Sequence, residues 1–458
     1  MCGIFGIYGH EDAVHLSYLG LYALQHRGEE GSGIVTYDGK ETKIHKNLGL
    51  VGNVFNESIL KSIKGNLAIA HVRYSTTGSN LLKNVQPILV SHKGKSFAIA
   101  HNGNFVNTFE LKKLLEDKGS IFQTTTDSEL LLHLFTQSKK KDYKEKLIQS
   151  LSKIKGSYSI VMMINDTLVG MRDPFGFRPL CLGQLGQSYI LTSETCVLDL
   201  IGAKYIREIE PGEIVFINEK GIESIKFSEQ KKHSMCIFEF IYFARPDSNI
   251  FGKNVYLTRK NLGRKLAQEF SIDADFVIPI PDSGSYASVG FAEESKIPYE
   301  MGLIRNHYIG RTFIQPSQFV RNFKVKIKLN GIREILKQKK IVVIEDSIVR
   351  GTTIQNRINM LREFGAKKIY MGVSCPPIKF PCFYGIDFPD NKELIAAHQS
   401  VEQIQKILGL DGLKYLSLEG MLDSMLLPKK DFCTACFNGK YPIKYNNNVE
   451  KNVLEKFI

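Results

Sequence analysis

A cysteine occupies the second position of the chain, in Met1-Cys2-Gly3-Ile4-Phe5-Gly6. Excision of the initiator methionine leaves a thiol and a free α-amine on the same residue. A thiolate attacks carbonyl carbon readily, and an α-amine with an ordinary pKa of about 7.7 to 8.0 shuttles protons near neutrality. Read alone, the pair is equally a start codon followed by a small buried apolar side chain, as most free cysteines are.

A second group of reactive types lies far along the chain, in Ile341-Val342-Val343-Ile344-Glu345-Asp346-Ser347-Ile348-Val349-Arg350-Gly351-Thr352-Thr353. A buried strand ends in two carboxylates, and a glycine-threonine turn leads into a helix expected from near Ile354. Ligands of open α/β sheets bind beyond the carboxyl ends of strands, and N–H groups at a helix start cradle phosphate. Adjacent carboxylates suit ribose hydroxyls and magnesium, a hard cation that takes oxygen ligands. The third group is Cys433-Thr434-Ala435-Cys436, with single cysteines at Cys236 and Cys382. A lone Cys-x-x-Cys fits zinc, redox chemistry or packing. Zinc ribbons bring two close pairs, whereas one pair with two distant singles favours an iron–sulfur cluster. Cys181, Cys196 and Cys375 read as packing residues.

The elements that must position these groups change character along the chain. To about residue 230, short strands with glycine-bearing turns and a few helices predict an α+β layer structure. Two segments nearly repeat: Leu67-Ala68-Ile69-Ala70-His71 runs into Val72-Arg73-Tyr74-Ser75-Thr76, and Phe97-Ala98-Ile99-Ala100-His101 runs into Asn102-Gly103-Asn104. Such polar strand ends are natural site positions. Thr126-Asp127-Ser128-Glu129 before Leu130-Leu131-Leu132 predicts a capping box, with Thr126 capping, Glu129 reciprocating and Asp127 left free. The charged stretch Lys226-Phe227-Ser228-Glu229-Gln230-Lys231-Lys232-His233 marks a junction. Beyond it, apolar runs such as Phe276-Val277-Ile278-Pro279-Ile280 alternate with helical stretches, the pattern of buried parallel strands. The expected domains are residues 2–232 and 233–458.

The 458 residues, 43% hydrophobic, suffice for two full cores. The start lacks a basic n-region and no apolar run reaches membrane-spanning length, so the expected address is cytoplasmic. The net charge of +13 is spread along the chain without an arginine-rich arm, which argues against nucleic acid and suits an anionic small substrate.

Together these motifs, with Leu24-Gln25-His26-Arg27-Gly28, Arg172-Asp173-Pro174-Phe175-Gly176, Ser193-Glu194-Thr195 and Pro281-Asp282-Ser283-Gly284, resemble the glutamine phosphoribosylpyrophosphate amidotransferase family, iron–sulfur branch, over nearly the whole chain. The resemblance implies an N-terminal-nucleophile glutaminase domain, an αββα sandwich, followed by an α/β type I phosphoribosyltransferase domain. It implies synthesis of 5-phosphoribosylamine, diphosphate and glutamate from phosphoribosylpyrophosphate, glutamine and water, the committed step of purine synthesis. Cys2 would carry the γ-glutamyl thioester, and Asn102 with the Gly103 N–H would form the oxyanion hole. Arg73 would pair with the glutamine α-carboxylate and Asp127 with its α-ammonium.

In the second half the resemblance implies phosphoribosylpyrophosphate binding by Asp346, Ser347, Ile348, Val349, Arg350, Gly351, Thr352 and Thr353. One magnesium per subunit would lie at Ser283, Glu345 and Asp346; Glu345 stands where the family usually has Asp. Arg305 to Ile314, with Arg321, Lys324 and Lys326, resembles a loop that closes over substrate and contributes Arg311. His307 stands where the family commonly has Arg. Cys236, Cys382, Cys433 and Cys436 match the [4Fe–4S] ligands, structural zinc being the alternative. Members with a cluster often carry a propeptide before the cysteine, whereas only Met1 precedes it here. The resemblance further implies a homotetramer inhibited by purine nucleotides of the AMP, GMP and ADP class, and a shielded ammonia channel. Asparagine synthetases and hexose phosphate amidotransferases share the front half but need no Glu345–Thr353 run. A nonenzymatic nucleic-acid-binding regulator would need no Cys2, Arg73, Asn102 and Asp127.

Overall fold

A computed structural model describes residues 1–75, 77–229, 232–306, 329–387, 391–444 and 454–455. The front half is built on two antiparallel sheets. The seven-stranded sheet has the first strand, Gly3–Tyr8, near its centre, between Ser188–Thr192 and Leu67–Arg73. The six-stranded sheet has Lys95–Phe105 paired to Ile88–His92 on one side and Gly156–Ile164 on the other.

Alternation of side chains divides the front half into three apolar layers. Ile4, Val35, Ile69, Ala98, Ala100 and Val161 pack between the sheets. Phe5, Ile7, Ala68, Ala70 and Val72 point the other way, onto the Ala13–Ala23 helix. Phe97, Ile99, Ile160 and Met162 meet the helices Thr108–Glu116, Ser128–Gln137 and Tyr143–Leu151 on the far side. Helix, sheet, sheet, helix is the αββα sandwich.

The strand that carries Asn102-Gly103 runs on through both to Phe105, with Asn102 opposite Ser159 and Gly103 opposite Tyr158. One local expectation is corrected: the capping box is absent. Asp127 precedes the Ser128–Gln137 helix, while the Glu129 carboxylate accepts from the Gln123 N–H at 2.9 Å, the Thr124 N–H at 2.7 Å and the Thr124 hydroxyl at 2.7 Å. The donors before the helix need a buried acceptor more than the helix terminus needs Glu129.

The sandwich's last strand ends at Lys226, and the next element is a two-residue strand, Met235–Cys236. The rear half holds a parallel sheet in the order Phe276–Pro279, Lys340–Glu345, Lys368–Val373, Gly412–Tyr415. Phe276–Pro279 and Lys340–Glu345 are buried on both faces, and the carboxyl ends of the strands open on one side, beside Ser283, Glu345 and Ser374. The helix after Gly351 begins at Thr352, two residues earlier than the sequence suggests, with Gly351 at φ +81° as its N-cap. The C-terminal segment returns to the junction, where Phe432–Cys433 pairs in parallel with Met235–Cys236. No described helix is long and apolar enough to cross a membrane.

Candidate functional site

Cys2 immediately precedes the first strand, whose Gly3 pairs with Val72 of the Leu67–Arg73 strand. Its thiol donates to the Tyr74 carbonyl at 3.4 Å. Its own carbonyl accepts from Arg27 Nε at 2.9 Å. Burial pushes the Cys2 thiol up, against the pull of the neighbouring N-terminal ammonium and of Arg73. With Met1 present the free amine belongs to Met1, and burial pushes it down to about 5.

Arg73 is 2% exposed, and its Nη2 donates to the carbonyls of Thr77, Gly78 and Ser79 at 3.2 to 3.3 Å. Its Nη1 has no hydrogen-bond partner among the described residues. Burial lowers the guanidinium pKa, while Cys2, Glu30 and Asp127 act in the opposite sense, which brings the strand end, the thiol and the aspartate into one electrostatic neighbourhood. Asn102 is 1% exposed, and its Nδ2 is likewise without a partner among the described residues. The strand ends of the two sheets are tied where His71 Nε2 donates to the His101 carbonyl at 3.1 Å. That contact sets Asn102 beside the end of the sheet that carries Cys2 and Arg73.

Gly103 has φ +155°, and a Cβ there would stand 2.1 Å from the Ser157 carbonyl oxygen, so only glycine fits. Asp127 is not free as the sequence suggests. Its Oδ2 accepts from the Phe105 N–H at 2.8 Å, and Ser128 Oγ donates to Oδ1 at 3.4 Å. With one hydrogen bond on each oxygen, the carboxylate retains lone pairs for a cation.

In the rear half a cavity of about 420 Å³ opens at the carboxyl ends of the parallel strands. Ser283, Glu345, Asp346, Ser347, Val349, Arg350, Gly351, Thr352 and Thr353 all line it. Ile348 does not; its side chain is 1% exposed in the core, leaving its backbone as the only contact it could offer. Ser283 Oγ donates to Glu345 Oε1 at 3.2 Å, and Arg357 Nη1 to Glu345 Oε2 at 2.9 Å. Burial and the adjacent Asp346 charge push the Glu345 carboxyl up, partly offset by Arg357. His307, Arg311, Arg321, Lys324 and Lys326 lie outside the described residues.

Cys236, Cys382, Cys433 and Cys436 line one small cavity of about 20 Å³, walled by Phe177, Phe238 and Tyr384. Cys236 and Cys433 are register partners on paired strands, and all eight cysteines are free thiols. Burial pushes Cys236 up to about 11, eased by Arg178, and raises Cys433 and Cys436 as well. Among the described residues no group of three or more His, Cys, Asp or Glu is arranged to hold a single metal ion. Cys181, Cys196 and Cys375 are buried apart from this cavity.

Residues 71–199 match the glutamine amidotransferase domain model. An amidophosphoribosyltransferase of Bacillus subtilis is 48% identical over 99% of this chain and 97% of its own length. One from Methanocaldococcus jannaschii is 46% identical over 97% of this chain and 98% of its own. The structure of the Bacillus subtilis glutamine phosphoribosylpyrophosphate amidotransferase with ADP and GMP superposes with a TM-score of 0.93 at 47% identity, covering 98% of this chain and 99% of that one. The chain belongs to the amidophosphoribosyltransferase family.

That family is one of glutamine-dependent transferases acting at the first step of purine biosynthesis, and this chain is one of them. Several residues of its site were given no role by the sequence, even where they fall inside a motif. Tyr74 reaches the transferase cavity from the glutaminase half, its hydroxyl 3.5 Å from Asp387 Oδ2. Arg357 and Glu393 enter the cavity wall from separate elements, and Arg350 pairs with Glu393. Behind Cys2, Arg27 is fully buried between Glu194, at 2.5 Å, and Glu239, at 2.9 Å, and Arg178 also reaches Glu239 at 3.4 Å. Glu239 sits on a π-helical turn, Glu239–Phe243, at the start of the rear half. Only a sequence separation of 212 residues joins Arg27 to it. No pattern of spacing announces such a pair.

Proposed function

We propose that this amidophosphoribosyltransferase hydrolyses glutamine at Cys2 and delivers the ammonia to phosphoribosylpyrophosphate in the cavity at Glu345–Thr353, with the two activities divided near residue 232. The observation that carries the reading is the pair of buried donors with no hydrogen-bond partner among the described residues, Arg73 Nη1 and Asn102 Nδ2, at the strand ends beside Cys2. Buried polar groups are almost always satisfied, and a substrate carboxylate and an oxyanion are the acceptors these two lack.

Once Met1 is gone, the Cys2 amine takes the thiol proton and the thiolate attacks the amide carbon. Asn102 Nδ2 and the Gly103 N–H stabilise the charge that develops on the carbonyl oxygen, and Arg73 and Asp127 hold the α-carboxylate and α-ammonium. Collapse breaks the C–N bond, the amine returns its proton to the departing ammonia, and water then releases glutamate from the thioester. In the rear cavity ammonia displaces diphosphate from the ribose C1. Backbone donors from Asp346 to Thr353 receive phosphate, Ile348 through its main chain alone, with Arg311 as a further contact.

The donor set at Ser283, Glu345 and Asp346 fits magnesium: two carboxylates, each 4% exposed, and a hydroxyl are oxygen ligands that substrate oxygens would complete. Bound there, one magnesium per subunit supplies neutralisation of the diphosphate leaving group. The four cysteines around one cavity fit a [4Fe–4S] cluster, which spaces its sulfur ligands more widely than a single zinc ion does. We further read the enzyme as a cytoplasmic homotetramer inhibited by purine nucleotides, the ADP and GMP bound to the Bacillus subtilis relative supporting the last point.

Cys2→Ala is the test. Glutamine-dependent synthesis should vanish while ammonia-dependent synthesis persists. Loss of both activities in a folded protein would refute the two-site reading.

A further inference from the structure

A carboxylate from the far end of the chain reaches the glutaminase site. Glu455 Oε1 accepts from the Ser79 N–H at 2.6 Å and from Thr125 Oγ1 at 3.4 Å. The segment is anchored rather than laid on the surface: Leu454 is 2% exposed, and its carbonyl accepts from Lys112 Nζ at 3.2 Å. The two residues that Glu455 grips belong to the two arms that would hold the ends of glutamine. Ser79 offers its carbonyl to Arg73 Nη2 at 3.3 Å, and Thr125 precedes Asp127 by two residues. Asn84 crosslinks the same arms, donating through Nδ2 to the Ser79 carbonyl at 2.9 Å and to Thr125 Oγ1 at 2.7 Å. Glu455 also favours the charged form of the Arg73 guanidinium.

We propose that Glu455 is a positioning residue for glutamine: it clamps the Arg73–Ser79 arm to the Thr125–Asp127 arm and so sets the spacing between the groups that take the α-carboxylate and the α-ammonium. The inference rests on the substrate roles proposed for Arg73 and Asp127. Its chemistry is acceptance: one carboxylate oxygen satisfies a backbone N–H and a hydroxyl that otherwise face each other across the gap. Removing it leaves Asn84 as the crosslink and loosens the arms without touching Cys2, Asn102 or the transferase cavity. Binding suffers, and bond-breaking does not.

The experiment compares full-length wild type, Glu455→Ala and Glu455→Gln in glutamine hydrolysis and in ammonia-dependent phosphoribosylamine synthesis. Glu455→Ala should raise the KM for glutamine by about tenfold, the effect of roughly 1.4 kcal/mol, with kcat within about twofold. Glu455→Gln keeps an acceptor oxygen and should recover most of the affinity. Ammonia-dependent synthesis should match wild type in both variants, which also reports that they fold. An unchanged KM for glutamine in Glu455→Ala, or an equal fall in ammonia-dependent synthesis, overturns the proposal while leaving the glutaminase reading in place. A wild-type enzyme that fails to hydrolyse glutamine overturns both.

Discussion

The Cys2 thiol donates to the carbonyl of Tyr74 at 3.4 Å, and the side chain of that same tyrosine lines the transferase cavity. One residue therefore touches both places, its carbonyl the Cys2 thiol and its side chain the wall of the cavity that Glu345 and Asp346 also line. Arg73, one position earlier, points its guanidinium back into the loop that follows it. Arg73 is the last residue of its strand and Tyr74 the first beyond it, so the two side chains part where the strand ends. The path from the Tyr74 ring to Cys2 runs through the tyrosine's own backbone and then the 3.4 Å hydrogen bond from the thiol.

Asn102→Ala should lower kcat for glutamine hydrolysis by on the order of 10² to 10³, the usual effect of losing one oxyanion donor, with ammonia-dependent synthesis unchanged. The Asn102 Nδ2 is buried without a hydrogen-bond partner among the described residues, so its removal breaks no hydrogen bond donated to them. Steady-state rates with saturating glutamine decide it. A rate equal to wild type would remove Asn102 from the oxyanion hole.

What the sequence made legible was chemistry carried by neighbours in the chain. The acidic pair followed by Gly351-Thr352-Thr353 lies on the strand, turn and helix its spacing predicts, and three of the elements around Cys2 end where polar residues interrupt apolar runs. What it concealed depends on partners far away. The tetrad Thr126 to Glu129 satisfies the local rule for a capping box, but Glu129 turns to the donors of Gln123 and Thr124, and Asp127 is held by the Phe105 N–H. Asn102-Gly103 has the composition of a turn, but pairing with Ser159 and Tyr158 keeps it extended. Arg27 and Glu239 form a buried pair that only the docking of the two halves creates. Local propensity is a weak prior wherever a buried donor elsewhere needs an acceptor.

The four cysteines around the junction cavity predict a metal content with a definite composition. Enzyme purified without oxygen should contain about four iron and four sulfide per chain, and Cys433→Ser should lose both together with much of its thermal stability. Stability falls because Cys236 and Cys433 lie on paired strands that fasten the C-terminal segment to the junction. Elemental analysis distinguishes the alternatives: zinc without sulfide would eliminate the cluster in favour of a thiolate zinc site.

His71 supplies a prediction about pH. It is fully buried between the sheets, its Nε2 donating to the His101 carbonyl at 3.1 Å. Its Nδ1 has no partner among the described residues. Burial pushes its pKa down to about 3, aided by the positive charge of Arg73 and only partly opposed by the His101 carbonyl. The ordinary histidine pKa is about 6.5. Between these values the unfolded chain binds a proton that the folded chain refuses, so this group favours the fold fully above about pH 6.5 and progressively less as pH falls toward 3. Its contribution to the slope is at most about 1.4 kcal/mol per pH unit. The thermal midpoint of wild type, measured from pH 7.5 down to 4.5, should therefore fall more steeply than that of His71→Gln, because glutamine keeps a donor for the His101 carbonyl and has no proton to gain. Parallel curves would mean that His71 accepts its proton inside the folded sandwich, against the burial and the neighbouring guanidinium that surround it.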